Sequence, residues 1–274
     1  MKTLKNHLIL FDAECPLCRM YTAAFVESGM LDNDGRTAYQ EFPVLTCPML
    51  DRQRAVNEIA LVNQETGEVT YGIESLFKVI ACSFPVLKSL FLFRPFFSLM
   101  SKVYAFISYN RRVIIPAPIT ANSFEFQPTF KLNYRIVYLF VTWLFTSVIL
   151  SAYARLMTGL LPASSALREY LICGGQIFFQ GVIISIIHKN KRCDYLGNMM
   201  TISFGGALLL LPVLPLANWL HLHPVFYAAW FIGVAGLMLM EHIRRSSLLG
   251  LGRTMTTSWV LYRLLILLLI ILTN

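Results

Sequence analysis

Five apolar segments, each close to the length of a membrane-spanning helix, fill the second half of this sequence. A helix needs about 20 consecutive, mostly apolar residues to cross the hydrocarbon core of a bilayer. The segments cover residues 134–153, 170–187, 195–214, 225–240 and 255–272. The fifth contains Arg263, so totals of four or six spans stay open beside the predicted five. We therefore predict an all-α transmembrane helix bundle over residues 133–274, with the lipid bilayer as its partner.

The composition of the whole chain favours the same class of protein. Hydrophobic residues make up 56% of the sequence and charged residues 14%, whereas soluble domains carry roughly 25% charged residues. The formal net charge of +8 could indicate a nucleic-acid partner. The Lys and Arg residues are scattered, however, or flank the apolar segments, as in membrane proteins. We therefore expect no nucleic acid as a partner.

The basic residues also predict an orientation in the membrane. They concentrate after the second and fourth apolar segments: Lys189, Lys191, Arg192, Arg244, Arg245 and Arg253. The loop between the third and fourth segments has neither Lys nor Arg. Loops rich in Lys and Arg face the cytosol, and residues 1–12 lack a signal peptide. We expect a multi-pass protein of a bacterial cytoplasmic membrane, with its N-terminal domain in the cytosol and its C-terminus outside.

The first 82 residues have the pattern of a small α/β domain. Short apolar stretches bounded by turn residues predict strands at residues 7–11, 37–43, 58–63 and 68–71. The last two flank a turn at residues 64–67 and predict a hairpin. Helical spacing of apolar residues appears at residues 15–28 and 72–82. The predicted order is β-α-β, a short connection, and then β-β-α.

The region between the two halves has a mixed character. Three basic residues interrupt the aromatic and aliphatic run at residues 84–109. We therefore predict two amphipathic helices within residues 83–112, packed on the α/β domain or lying on the membrane surface. Residues 116–132 contain several prolines and are expected to be a linker. The predicted domains are thus residues 1–115, the linker at 116–132 and the membrane domain at 133–274.

The pair Cys15-Pro16-Leu17-Cys18 is the motif that points to chemistry. It follows a predicted strand and opens a predicted helix, whose N-terminal N–H groups favour a thiolate at Cys15. Cys18 lies one helical turn further on, within reach of a disulfide. The motif predicts attack of Cys15 on a disulfide and resolution of the mixed disulfide by Cys18. We expect Cys15 to be the more exposed thiol, and the neighbouring Glu14 carboxylate to oppose its ionisation.

Three other interpretations of this segment stay open. A zinc site needs four ligands, but Cys47 and Cys82 are isolated in the sequence, so we expect no metal. The pair could be inert on a degenerate redox fold. Finally, Asp12 at the end of a strand could serve phosphoryl transfer as in haloacid-dehalogenase-like enzymes. Those enzymes have a second Asp two residues later, where this chain has Glu14.

Three stretches of the sequence resemble one known family. LILFDAECPLCR at residues 8–19 is similar to the opening motif of the DCC family of predicted thiol–disulfide oxidoreductases, apolar residues followed by Asp-x-x-Cys-x-x-Cys. GEVTYG at residues 67–72 and VYAFISYNR at residues 103–111 resemble later features of that family. The resemblance covers residues 5–115. It implies a thioredoxin-like fold and disulfide exchange through Cys15 and Cys18, with a redox-active cysteine pair and no separate cofactor.

Asp12 is the third residue of the predicted catalytic site, beside Cys15 and Cys18. It matches the Asp of the family's opening motif. Its carboxylate is expected to cap the turn after the strand by accepting backbone N–H bonds. Service as a proton acceptor is the alternative.

A polar stripe runs along the second apolar segment. Cys173, Gln176 and Gln180 lie on one face of the predicted helix. We expect these side chains to form hydrogen bonds between helices, and a pocket for a quinone or another ligand is the alternative. Cys173 and Cys193 fall at opposite ends of this segment, too far apart for a disulfide. The sequence therefore predicts no relay of electrons across the bilayer by a second dithiol.

Two functions of different classes follow from these patterns. The first is a membrane-tethered thiol–disulfide oxidoreductase that acts on protein or small-molecule disulfides at the cytosolic face. The second is a non-catalytic transporter or assembly factor, whose redox-fold head senses or docks a partner. The exposure of Cys15 discriminates between them, because a buried thiol favours the second.

Overall fold

The computed structural model describes residues 2–42, 49–117, 128–162, 165, 167–220 and 222–272. The chain divides into two compact units, residues 1–134 and residues 135–274. A small mixed sheet with flanking helices characterises the first unit, and long apolar helices characterise the second. This division agrees with the predicted α/β head and helical bundle.

Strand β1, His7–Phe11, lies inside a four-stranded sheet of the first unit. The other strands are β2 at Arg36–Ala38, β3 at Ala60–Asn63 and β4 at Val69–Tyr71. The order across the sheet is β2-β1-β3-β4, with β1 parallel to β2 and the other neighbours antiparallel. All five residues of β1 are buried, as is typical of a strand that is covered on both faces.

Three helices accompany the sheet: α1 at Pro16–Glu27, α2 at Arg52–Asn57 and α3 at Ile73–Ser83. Helices α1 and α3 and the four strands lie where the sequence predicts them. The second strand is shorter than predicted, and Pro43 lies outside the described residues. Helix α2 was not predicted, because six residues are too few to show helical periodicity. Its one sequence signal is Asp51, whose carboxylate caps it by accepting the Arg54 N–H at 2.9 Å.

Two further helices follow, α4 at Lys88–Leu92 and α5 at Arg94–Ile114. The chain bends by 89° between Pro85–Leu92 and Arg94–Ile114. Both helices pack on the α/β domain, which is one of the two placements predicted for the amphipathic helices. Phe77 of α3 stacks on Phe91 of α4 with 4.1 Å between ring centroids, and Tyr104 of α5 joins the core beneath the sheet.

The second unit consists of long helices. Their bounds are α6 at Leu132–Ala154, α7 at Arg168–Ile187, α8 at Arg192–Leu210, α9 at Val213–Leu220, α10 at Pro224–Leu248 and α11 at Thr254–Leu272. Within the described residues, five stretches are long and apolar enough to cross a membrane, or six if the bent α4–α5 region is one span. These helices indicate a multi-pass membrane protein.

Candidate thiol site

The turn between β1 and α1 holds Cys15 at the N-cap of the helix. The Asp12 carboxylate accepts the Glu14 N–H at 3.0 Å, and the Cys15 N–H donates to the Asp12 carbonyl oxygen at 3.0 Å. Cys15 is the N-cap of α1, and Pro16 follows as the first helical residue. Proline suits this position because it lacks an N–H that would need a partner. The predicted capping role of Asp12 is confirmed.

The two thiols of the motif are hydrogen-bonded to each other and to the helix backbone. The Cys15 Sγ accepts the backbone N–H of Cys18 at 3.3 Å. The hydrogen bond from the Cys18 thiol lowers the pKa of Cys15 to about 7, and the charge of Arg111 acts in the same direction, against the effect of burial. The same hydrogen bond, together with burial, raises the pKa of Cys18. Cys15 is therefore the thiol that ionises first.

Both thiols are buried, which makes the predicted exposure of Cys15 wrong. Cys15 is 1% exposed and Cys18 is 3% exposed. They form a small core cluster with Phe11 at the end of β1 and Ala38 at the end of β2. The parallel pairing of these strands brings Ala38 opposite Phe11. The apolar surface at this corner of the sheet therefore closes over the helix N-terminus that carries the motif.

Arg111 of α5 is a residue of this site that the motif itself did not identify. Its Nη2 lies 2.9 Å from the Asp12 Oδ2, and the guanidinium also donates to the backbone carbonyls of Val56 and Asn57. Arg111 is 4% exposed and Asp12 is 2% exposed. Such a pair keeps its charge only because each ion is compensated by the other and by hydrogen bonds. The site therefore contains a fixed cation whose charge favours the Cys15 thiolate.

The Asp12 carboxylate is fully engaged in this arrangement. Besides the Glu14 N–H and Arg111, it accepts a hydrogen bond from Gln40 Nε2 at 3.0 Å. These donors occupy both oxygens, so they favour the structural role of Asp12 over that of a proton acceptor. They also leave little room for the attack on phosphorus that a haloacid-dehalogenase-like mechanism requires.

Glu14 opposes the thiolate less than its position in the sequence suggests. Arg112 Nη2 lies 3.1 Å from the Glu14 Oε2, at the edge of the site. A paired carboxylate carries less uncompensated charge toward its neighbours than a free one. The side chain of Arg112 is half-exposed, so solvent screens this pair as well.

The three stretches that carry the family resemblance meet in the first unit. The Tyr104 hydroxyl of the third stretch accepts the backbone N–H of Ile59 at 3.0 Å. Gly72 of the second stretch has φ +61°, and a Cβ there would lie 3.2 Å from the Tyr104 ring and 2.8 Å from the Glu58 carboxylate. A glycine is thus required both by the backbone and by the space. Arg111 is the last residue of the third stretch and lies at the thiol site, where it pairs with Asp12 of the first stretch.

The zinc alternative considered Cys47 and Cys82 as further ligands beside the Cys15–Cys18 pair. Across the described residues, no group of three or more His, Cys, Asp and Glu side chains is placed to hold a metal ion. Cys82 lies in α3, and Cys47 falls outside the described residues. Cys15, Cys18, Cys82, Cys173 and Cys193 are all free thiols.

In the second unit, Gln180 forms the hydrogen bonds between helices that the polar stripe predicts. Its Oε1 accepts from the Tyr195 hydroxyl at 2.8 Å and from the Ser258 hydroxyl at 3.1 Å. His242 Nε2 lies 3.1 Å from the same Tyr195 oxygen. Helices α7, α8, α10 and α11 are thus joined by one buried network.

The chain was compared with protein-family models, with curated proteins and with solved structures, and none of them matches. The resemblance to the DCC family therefore stays a prediction that rests on the three stretches quoted above.

Proposed function

We propose that this chain is a membrane-tethered thiol–disulfide oxidoreductase, with Cys15 as the attacking thiol and Cys18 as the resolving thiol. The observation that carries the proposal is the position of Cys15 at the N-terminus of α1, where it accepts hydrogen bonds from Cys18. A helix N-terminus and a nearby cation are the features that lower a thiol pKa at reactive sites. A thioredoxin-like fold is supported by the β-α-β and β-β-α order, with the pair at a strand-to-helix corner.

The exchange proceeds in two balanced steps. The Cys15 thiolate attacks one sulfur of a substrate disulfide, forms a mixed disulfide and releases the other substrate sulfur as a thiolate. The Cys18 thiol then loses its proton and attacks the Cys15 sulfur, which releases the second substrate thiolate. The substrate gains two electrons and the Cys15–Cys18 pair becomes a disulfide. A dithiol reductant must return the pair to its reduced form.

Arg111 and Asp12 are positioning residues in this scheme, because both are buried and paired with each other. The Arg111 charge favours the Cys15 thiolate before attack. Asp12 holds Arg111 in place and fixes the turn that presents Cys15. A substrate must also displace the apolar side chains around Cys15, since the thiol is 1% exposed.

The proposed orientation follows the basic loops and places the thiol site at the cytosolic face. The cytosol keeps exposed thiols reduced, so a reductase or isomerase role fits this compartment. Residues 133–274 contain only Cys173, in the first turns of α7, and Cys193, in the first turn of α8. Transfer of electrons through the bilayer would therefore need another carrier, for which a quinone is the alternative.

The burial of Cys15 supports a second candidate function. In that scheme the first unit is a non-catalytic head that senses or docks a partner, and the helical unit is a transporter or assembly factor. A thiol that stays sealed against small reagents has no route to a substrate disulfide. The second candidate thus predicts a Cys15 that does not exchange at all.

An exchange assay on the purified full-length protein distinguishes the two candidates. The substrate is a peptide carrying a glutathione mixed disulfide, with dithiothreitol as the reductant. We expect catalysed release of glutathione by the parent and by a Cys82→Ser control, and loss of that catalysis in Cys15→Ser. A parent rate equal to the rate without protein would support the docking head instead.

A further inference from the structure

A cavity of about 440 Å³ lies within the second unit, bounded by the long helices. Its walls are mostly aliphatic and aromatic, with Leu150, Ala207, Phe231 and Leu267 among the lining residues. Binding sites for small organic ligands typically occupy about 300–1,000 Å³ and are predominantly apolar. The cavity thus has the size and the lining of a ligand site.

Two buried donor atoms in the cavity wall have no hydrogen-bond acceptor among the described residues. Gln176 is 5% exposed, and its Nε2 has no hydrogen-bond acceptor among the described residues. Arg263 Nε is also buried without an acceptor. Gln176 comes from α7 and Arg263 from α11, and both line the cavity. Buried donors of this kind are costly unless something supplies an acceptor.

No carboxylate of the described residues balances the charge of Arg263 through an ion pair. Its guanidinium instead lies over the Trp259 ring, with 4.0 Å between the Cζ and the ring centroid. A cation–π contact attracts the guanidinium but leaves its charge uncancelled. Glu169, the acidic residue of the cavity wall, already pairs with Arg168 at 2.8 Å. Ionisable residues inside a membrane span usually pair or serve a ligand.

We infer that this cavity binds the carboxylate of a single-chain fatty acid. The planar guanidinium of Arg263 can offer two parallel N–H groups, which match the two oxygens of a carboxylate. The Gln176 amide supplies a further donor, and the apolar walls receive the hydrocarbon chain. A neutral quinone would satisfy the donors but leave the Arg263 charge unbalanced. The inference concerns the second unit only and does not depend on the thiol chemistry.

The test is a displacement experiment on the full-length protein in detergent freed of fatty acids. Cis-parinaric acid is the fluorescent probe, and palmitate, methyl palmitate and a short-chain ubiquinone analogue are the competitors. Palmitate is expected to displace the probe, with methyl palmitate weaker by at least about 10-fold, because the ester carries no charge. Equal displacement by the ester, or preferential displacement by the quinone, would overturn the inference.

Variants locate the site. Arg263→Gln is expected to weaken palmitate binding by about 10- to 100-fold, the usual range for one charge-assisted hydrogen-bonded pair. The matched control is Arg253→Gln, which removes an exposed arginine just before α11 and outside the cavity wall. Unchanged palmitate binding in a folded Arg263→Gln variant would contradict the assignment. If that variant does not fold, the comparison of acid with ester on the parent protein decides alone.

Discussion

Replacement of Arg111 with Met removes the cation from the thiol site while keeping most of its apolar volume. Arg111 Nη2 lies 2.9 Å from the Asp12 Oδ2, and both residues are buried. Removal of one partner of such a pair leaves the other charge uncompensated, at a cost of about 3–5 kcal/mol. We expect Arg111→Met to lower the free energy of unfolding of the first unit by about this amount.

The assay is hydrogen–deuterium exchange of the β1 amides in the full-length protein. Tryptophan fluorescence cannot report on this unit, because all four Trp residues lie after residue 134. A cycle with Asp12→Asn isolates the pair. The loss of unfolding free energy in the double variant should be smaller than the sum of the two single losses by about 1–3 kcal/mol. Strictly additive losses would refute the reasoning, since they would show that the two side chains are not coupled.

Arg111→Met and a second variant, Cys18→Ala, should both change the reactivity of Cys15. Alkylation by iodoacetamide follows the thiolate, so its rate rises as the pH passes the pKa of about 7. Loss of the Arg111 charge raises that pKa and moves the midpoint to higher pH. Cys18→Ala should move it further, because the Cys18 hydrogen bond is the larger cause of the lowered pKa. An unchanged midpoint in both variants would contradict the described electrostatics.

Three further predictions concern other parts of the chain. Gly67→Ala should lower the free energy of unfolding by about 1–2 kcal/mol, because of the positive φ alone. Gly72→Ala should lower it further, because a Cβ there also meets Tyr104. Hydrogen–deuterium exchange of the β3 and β4 amides measures both losses. Tyr195→Phe removes the hydroxyl that donates to Gln180 and should destabilise the second unit by about 1 kcal/mol, which lowers its thermal midpoint. Trp fluorescence in detergent measures the midpoint, and an unchanged value would show that the network is dispensable. A reporter fused at the C-terminus should be active only outside the cytosol; cytosolic activity would indicate four or six spans.

The features that the sequence predicts well are local. The strand at His7–Phe11, the hairpin before Gly72 and the helix that Cys15 caps all depend on neighbouring residues. The five apolar stretches are equally local, because the bilayer selects segments by length and hydropathy. Such features can be read from periodicity and turn residues alone.

The features that the sequence did not predict depend on distant residues. Arg111 and Asp12 are 99 positions apart in the sequence, and no local pattern predicts that they pair. The burial of Cys15 depends in part on Ala38, which the parallel strand β2 brings to the same corner. The cavity beside Arg263 forms only when several helices leave a space between them. Each of these is a consequence of tertiary packing.

The most direct test of the proposed function is the capture of its covalent intermediate. The Cys18→Ser variant of the full-length protein is incubated with the glutathione mixed-disulfide peptide, quenched with acid and mapped by mass spectrometry. The proposal predicts a mixed disulfide on Cys15, which accumulates because the resolving thiol is missing. The Cys82→Ser protein, which retains Cys18, should show none. A Cys18→Ser protein whose Cys15 remains an unmodified thiol would contradict the proposal that Cys15 attacks disulfides.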